Sequence, residues 1–478
     1  MPAVMADKRK LLPFQIESLR QIDEFKGRCL LALDMGLGKT LISLTWIKRK
    51  PLERLPALVI CPAAVKHQWQ KEAERLGIQS CVLSGQMAFE PEVRPAPLLI
   101  INYDVLPSWA DWLAKQEHAT IILDEVQLTK NLRAKRTRAV RKVVQGQDRN
   151  VHLLALSGTP LLNSPIELFP ILNLLWPRYY SNFWSYAKKF SKPKRTPWGW
   201  DFRMARNVKT LHKQLKKLGL IRYRKADVLK DRLPPKIRQV IPCKLSSRRE
   251  YKMASNDFLG WLRKTDPQRL RSAVKAQALV KLGYLLRLTG RLKINSVVSW
   301  IEKFLTYMPE DRKLCLFCVH KHVIDELAER TRHLTDCVII DGRTSPSRRK
   351  KLVEKFQQDP NCRLCIGNVQ AAGVGLDGLQ QASSVVAVIE LCWRPGDHLQ
   401  LEDRLHRIGQ QNTVWVYYLI AKGTIEDQLC EILQRKQKTI TQVLDGKGWR
   451  RRKELELNLY DELLATLWHK AQELPDSN

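Results

Sequence analysis

Negative charge is scarce in this sequence. Against 82 lysines and arginines stand 48 aspartates and glutamates, a formal net charge of +34. From Phe202 to Ala226 there is no acidic residue at all. An excess of that size points to a polyanionic partner, most simply nucleic acid, more than to a surface charged only for solubility. Long apolar runs are missing too. No stretch approaches the length that spans a bilayer, and the N-terminal MPAVMADKRKLLPFQ has no apolar segment after its basic residues. The expectation is a soluble protein without a membrane partner that stays where it is made: the cytoplasm of a bacterial or phage-infected cell, or the nucleus of a eukaryote. A disulfide framework is also lacking: 11 cysteines in 478 residues fit reduced thiols better. Cys315 and Cys318, and Cys362 and Cys365, have metal-like spacing but lie in strand-like runs. There, residues three apart face opposite sides, so core cysteines are expected and no zinc.

What is present is an ordinary globular inventory. The 44% of hydrophobic residues can fill packed cores, and the length predicts two or three domains. Short apolar runs at Cys29–Leu33, Ala57–Cys61, Leu98–Asn102, Thr120–Asp124 and Val151–Ser157 read as strands. Amphipathic segments such as Val65–Leu76 and Arg133–Val143 separate several of them. After Pro177 the pattern dissolves into a basic, aromatic-containing stretch, and LPPKIRQVIPCKL around Pro234 reads as a linker. A second strand-helix series starts near Lys313: Leu314–Val319, Cys337–Asp341, Arg363–Asn368, Val385–Leu391 and Thr413–Leu419. The predicted fold is α/β, with two parallel-sheet lobes and a basic helical insertion between them. The predicted divisions are 1–177 for the first lobe, 178–235 for an insertion and linker that complete it, and 236–290 for a helical region. The second lobe takes 291–430, and 431–478 forms a basic helical tail.

Asp34-Met35-Gly36-Leu37-Gly38-Lys39-Thr40 follows a strand and opens a helix. Such a loop turns backbone N–H groups towards phosphate oxygens, with Lys39 reaching the β- and γ-phosphates and the Thr40 hydroxyl ligating Mg²⁺. The general pattern has Gly where Leu33 stands, and an ordinary Gly-rich turn is the plainer alternative. Asp124-Glu125 ends a later apolar strand and is the expected partner. Asp124 would hold Mg²⁺ and Glu125 would deprotonate the attacking water. In the second series, Gln400, Arg404 and Arg407 fall on one face if their segment is helical. Two guanidiniums there suit a γ-phosphate; a charged helical face pairing Glu402 and Asp403 with neighbours is the alternative.

With these motifs in order, the chain resembles the Swi/Snf-type ATPases, helicase-like translocases of the DEAD/DEAH-box superfamily. The resemblance runs from about residue 10 to 430 through LLPFQ, DMGLGKT, LVICPAAVKHQWQKE, LIINYDVL, IILDEVQLTKN and LALSGTPLLNSPIELFPILNLL. It continues through KLCLFCVHKHVIDEL, IIDGRTSPSRRKKLVEKFQ, GNVQAAGVGLDGLQQASSVV, ELCWRPGD and QLEDRLHRIGQQNTVWVYYLIAKGTIED. TPWGWD, LPPKIRQV and Ala371-Ala372 resemble the annealing helicases within that family.

The resemblance implies two RecA-like lobes with ATP between them, Gln15 at the adenine, and Gly375 and Asp377 at the nucleotide. It implies that Gly158 and Thr159, with Gln127 and Gln400, couple hydrolysis to lobe motion. Pro62, Lys66, Gly342, Arg343, Thr344 and Trp393 would lie near a DNA track, with core packing the other reading of Trp393. Gln127 stands where relatives usually carry His; it either relays hydrogen bonds to Gly158-Thr159 or faces solvent. GKGWRRRK near the C-terminus is a DNA brace or a solvated turn. The implied activity is ATP-dependent translocation on double-stranded or branched DNA by a monomeric motor. Its alternatives are a strand-unwinding recombination or phage helicase and a catalytically silent DNA-binding scaffold.

Overall fold

The computed structural model describes residues 10–86, 96–147, 150–196, 199–202, 204–230, 232–256, 277–369 and 378–446. They form two compact units. One holds the described residues up to 230 and those from 436 to 446; the other holds those from 232 to 435.

The first unit is built on β1 (Arg28–Leu33), β2 (Ala57–Cys61), β3 (Ser80–Val82), β4 (Leu98–Asn102), β5 (Thr120–Asp124) and β6 (His152–Leu156). A small antiparallel hairpin, β7 (Lys194–Thr196) and β8 (Gly199–Asp201), stands apart, and β9 (Leu220–Tyr223) returns to the sheet. The sheet order is β3-β4-β2-β5-β6-β1-β9, all parallel. Continuous apolar strands such as ALVIC and LLIIN are buried on both faces, as a parallel sheet covered by helices requires. Register aligns Leu31 with Leu156 and Leu156 with Asp124, so β1, β6 and β5 end side by side. Ligands of open α/β sheets bind beyond such carboxyl ends.

The second unit has β10 (Lys236–Cys243), β11 (Leu314–Cys318), β12 (Asp336–Ile340), β13 (Cys362–Asn368), β14 (Val385–Val388) and β15 (Val414–Ala421). Their order is β10-β15-β14-β11-β13-β12, again parallel. The expected α/β class with two parallel sheets is borne out.

Three expectations need correction. Residues 236–243 were expected to open a helical region after a linker, and they form a strand. β10 is an edge strand, where Pro242 costs no interior ladder bond, and its outer positions alternate in exposure. The division at 430 falls inside one helix, Ile425–Leu444. Its Ile425, Leu429, Cys430 and Leu433 pack in the second unit's core, while Val443 and Leu444 belong to the first unit's. The third concerns the cysteines. Cys315 and Cys318 do enter different core clusters, but Cys362 and Cys365 share one. Between β12 and β13 the register shifts, with Asp336 opposite Cys362 and Cys337 opposite Leu364, and the extra residue moves Cys362 onto the face of Cys365. All eleven cysteines are free thiols.

Candidate nucleotide-binding site

Beyond the end of β1 the chain turns through Gly36 and Gly38, both left-handed at φ 80° and 79°, before the helix Lys39–Arg49. The left-handed φ suits glycine at Gly38, and a Cβ there would stand 2.7 Å from the Gln15 side-chain nitrogen, which would have to move aside. Gln15 donates to the Leu37 carbonyl at 3.3 Å and accepts from the Leu12 amide at 2.9 Å, which fixes it against the loop. The helix N-terminus leaves its first N–H groups without intrahelical partners, a ready anion site. The Lys39 ammonium donates to the Leu33 carbonyl at 2.9 Å, held at the loop by a bond it can exchange for a phosphate.

Asp34 plays a structural part. Its carboxylate accepts from the Lys225 amide at 3.0 Å and pairs with Arg222 at 2.7 Å. Burial alone would raise its pKa; Arg222 and the Lys225 amide outweigh that and hold the carboxyl below the usual range. Arg222 also pairs with Asp445 at 2.9 Å and donates to the Ala32 carbonyl, so β9 and Asp445, just after the helix Ile425–Leu444, anchor the loop's first residue.

At the end of β5, the Asp124 carboxylate accepts from the Trp69 indole N–H at 2.9 Å and from the Glu125 amide at 3.0 Å. The Tyr103 hydroxyl donates to the Asp124 carbonyl. Burial, then the neighbouring Glu125, push the Asp124 pKa up to about 6, against the lowering effects of Trp69 and Lys39. Glu125 has left-handed backbone, φ 50° and ψ 53°, a conformation uncommon for any residue but glycine.

A chain of hydrogen bonds leads on from Glu125. The Gln127 amide donates to the Glu125 carboxylate at 2.5 Å, the Ser157 hydroxyl donates to the Gln127 carbonyl oxygen at 2.6 Å, and the Thr159 amide donates to Ser157 Oγ at 2.9 Å. Gln127 is buried rather than facing solvent. Gly158 lies against the 34–40 loop: a Cβ there would lie 3.2 Å from Met35 Cγ and 3.6 Å from Lys39 Nζ. The buried Thr159 hydroxyl has no hydrogen-bond partner among the described residues. Thus Gln15, the 34–40 loop and Gly158 converge, and Glu125 is joined to Thr159 through two side chains. Thr40 is half-buried at the helix start.

Sequence reasoning missed Trp69, Tyr103, Ser157, Arg222 and Lys225. Ser157 directly precedes Gly158-Thr159 and was within reach. Trp69 reads as an ordinary core residue of an amphipathic helix, and Arg222 and Lys225 lie in a basic run that conceals their internal partners.

In the second unit the helix is Pro395–Leu405, so Arg407 does not extend the face of Gln400 and Arg404, as was expected. His406 leaves helical geometry and its ring meets the Pro234 carbonyl at 2.9 Å. Gly409 then turns at φ 98°, and Gln410 donates to the Ser383 carbonyl at 2.9 Å. Arg404 is buried, and Gln400 and Arg407 are half-buried. Glu402, fully buried, pairs with Lys236 at 2.8 Å and Arg238 at 2.8 Å and accepts from the Tyr418 hydroxyl.

Of the expected DNA-track residues, Pro62 and Lys66 follow β2, where Lys66 donates to Ser84 at 2.9 Å on the surface. Gly342, Arg343 and Thr344 follow β12. Arg343 is half-exposed but paired with Asp341 at 2.5 Å and Asp325 at 2.8 Å, and Thr344 Oγ accepts from the Asp341 amide. Trp393 is partly exposed. Gly375, Asp377, Ala371-Ala372 and GKGWRRRK beyond Gly446 lie outside the described residues. Among the described residues no group of three or more His, Cys, Asp or Glu side chains could hold a metal, and no helix is long and apolar enough to cross a membrane.

Comparison with known proteins adds a family. Residues 14–315 match the SNF2-related domain, and residues 296–409 match the helicase conserved C-terminal domain. The human (Homo sapiens) DNA annealing helicase and endonuclease ZRANB3 is 32% identical over 458 residues, 92% of this chain and 41% of that protein. The Caenorhabditis elegans SWI/SNF-related matrix-associated actin-dependent regulator of chromatin subfamily A-like protein 1 homolog is 31% identical over 98% of this chain and 67% of its own length. The chain therefore spans from about two fifths to two thirds of these relatives. A solved Sulfolobus solfataricus SWI2/SNF2 ATPase core in complex with dsDNA is similar at 24% identity and a TM-score of 0.44, covering 96% of this chain and 99% of that one. With the SNF2-related match covering well over half of its length, this chain belongs to the SNF2-related family, the SNF2-related domain being followed by a helicase C-terminal domain.

Proposed function

We propose that this chain is an ATP-dependent translocase on double-stranded DNA that reanneals or remodels branched DNA or displaces bound protein. The observation that carries the reading is the hydrogen-bonded series Glu125–Gln127–Ser157–Thr159 beside an intact phosphate loop. A carboxylate placed to activate water is thereby tied to a segment that can report nucleotide state to the rest of the motor.

In this reading Gln15 reads the adenine, and Lys39 exchanges the Leu33 carbonyl for the β- and γ-phosphates. The N–H groups after Gly38 hold phosphate oxygens. Asp124 and Thr40 hold Mg²⁺, which when bound neutralises phosphate charge. The fit rests on Asp124 itself: a buried carboxylate crowded by Glu125 is the group a divalent cation relieves. Glu125 orients water and takes its proton. Arg404 and Arg407 are proposed to reach the γ-phosphate during turnover, with Gly375 and Asp377 at the nucleotide and Gln400 in coupling. Pro62, Lys66, Gly342, Thr344 and Trp393 are proposed along the duplex; Arg343 joins them once it leaves Asp325 and Asp341. The motor is proposed to act as a monomer, in the nucleus or cytoplasm according to its source.

The test is steady-state ATP hydrolysis with duplex, single-stranded and forked DNA, beside Lys39→Ala and Glu125→Gln. Duplex-stimulated hydrolysis in the parent, lost in both variants, is expected. Stimulation by single strands alone would favour an unwinding helicase, and a parent without hydrolysis would leave only a scaffold.

A further inference from the structure

The β7–β8 hairpin carries features that the nucleotide site does not use. Two-stranded ribbons are marginal by themselves and need a partner surface. This one rests on an aromatic stack: Trp200 meets Trp184 edge to face at 5.1 Å, and Phe202 meets Phe183 at 5.5 Å. Phe183 in turn meets Phe169 of the core at 5.3 Å. The stack is anchored below and open above. Trp184 remains 42% exposed and Trp200 50% exposed, far more than packing of the hairpin requires. Large aromatic surface left in water marks a place where something binds.

Register says what kind of partner fits. Arg195 stands directly opposite Trp200 across the ribbon, so its cation and that indole share one face. The surroundings are cationic: Lys188, Lys189, Lys192, Lys194 and Arg195 are exposed, and Asp201 is the only acidic residue from Phe183 to Ala226. A flat ring beside a cation, in a field of positive charge, matches an unpaired nucleobase with its phosphate. Paired bases in a duplex keep their faces covered; bases at a branch point do not.

We propose that the hairpin is a single-strand contact, in which Trp200, backed by Trp184, stacks an unpaired base while Arg195 holds the adjoining phosphate. The proposal rests on the reading of the protein as a DNA translocase and assigns it a preference for branches over plain duplex.

Affinity for a fork with a single-stranded arm and for a blunt duplex of equal length tests this, using the full chain with Trp200→Ala, Trp200→Phe and Arg195→Ala. Trp200→Ala should weaken fork binding about 5- to 100-fold and blunt-duplex binding less than about twofold. Trp200→Phe should restore most of the loss, and Arg195→Ala should weaken the fork selectively. Melting curves establish that the variants are folded. Equal losses on both DNAs, or none on the fork, would overturn the proposal. So would a change of oligomeric state in Trp200→Ala without a change in fork binding, since the aromatic face would then belong to a protein contact. Failure of the translocase reading shows separately, as absence of duplex-stimulated hydrolysis in the parent.

Discussion

Gln127 sits between the Glu125 carboxylate, proposed above to take a proton from water, and a hydroxyl that holds the Thr159 amide. Its side chain donates on one side and accepts on the other, and it does so without titrating. A neutral imidazole can make the same two bonds, but an imidazolium can no longer accept from Ser157. Gln127→His should therefore keep duplex stimulation at pH 8 and lose it as the pH falls through about 6.5, while the parent shows no such selective loss. Hydrolysis measured with and without duplex across that range checks it, and pH-independent stimulation in the variant would show that the bridge carries no signal. The acidic pair was legible because an apolar run ending in two carboxylates after a phosphate loop has few other uses. The relay was legible at Gln127 only as one of two readings, and its middle member Ser157 was not, because Gln127 and Ser157 are thirty residues apart and only the adjacency of β5 and β6 joins them.

Among the elements, β10 was the least legible. Pro234 and Pro235 just before it, its own Pro242 and its mixed polarity read as linker, yet its lysine and arginine have a buried acid to reach. Glu402 gathers Lys236, Arg238 and the Tyr418 hydroxyl, tying the edge strand and β15 to the helix Pro395–Leu405. Burial alone would raise the Glu402 carboxyl, but Arg238 and Lys236 outweigh it and hold the folded-state pKa well below the ordinary range. A depressed carboxyl stabilises the fold above its unfolded pKa of about 4.3 and ceases to do so as the pH falls towards the folded value. Glu402→Gln should cost about 3 kcal/mol at pH 7, because two cations lose their partner. It should also flatten the loss of stability below pH 4.3. Urea unfolding at pH 7 and pH 3.5 measures both, and a variant as acid-sensitive as the parent would place the acid response elsewhere. The helix containing Arg404 was legible from its period, but its end was not: the turn at Gly409 and the bond from His406 to Pro234 stop it short of Arg407.

For the whole molecule, the sequence announces two α/β series but not how the chain is shared between them. The helix Ile425–Leu444 contributes Val443 and Leu444 to the first core, and Asp445 just beyond it joins the Arg222 pair, from a segment expected to be a separate tail. Charge is the other global property. With a net +34, and cations such as Lys66 on the surface of the first unit, binding to duplex through six to ten phosphates should weaken about 10³- to 10⁵-fold between 50 and 200 mM salt. A titration of affinity against salt gives the number of phosphates from its slope. A slope near zero would mean that the positive charge serves something other than DNA.

The left-handed backbone at Glu125 has a consequence beyond geometry. The residue occupies a conformation that Asn or Gly adopts with less strain, and its charge crowds a buried Asp124. Glu125→Asn relieves both stresses at the loss of one hydrogen bond from Gln127, and should melt no lower than the parent while hydrolysing no ATP. Drift under selection for a stable fold alone would discard this glutamate. Under the proposed motor reading, this strained turn and crowded acid serve turnover rather than the fold.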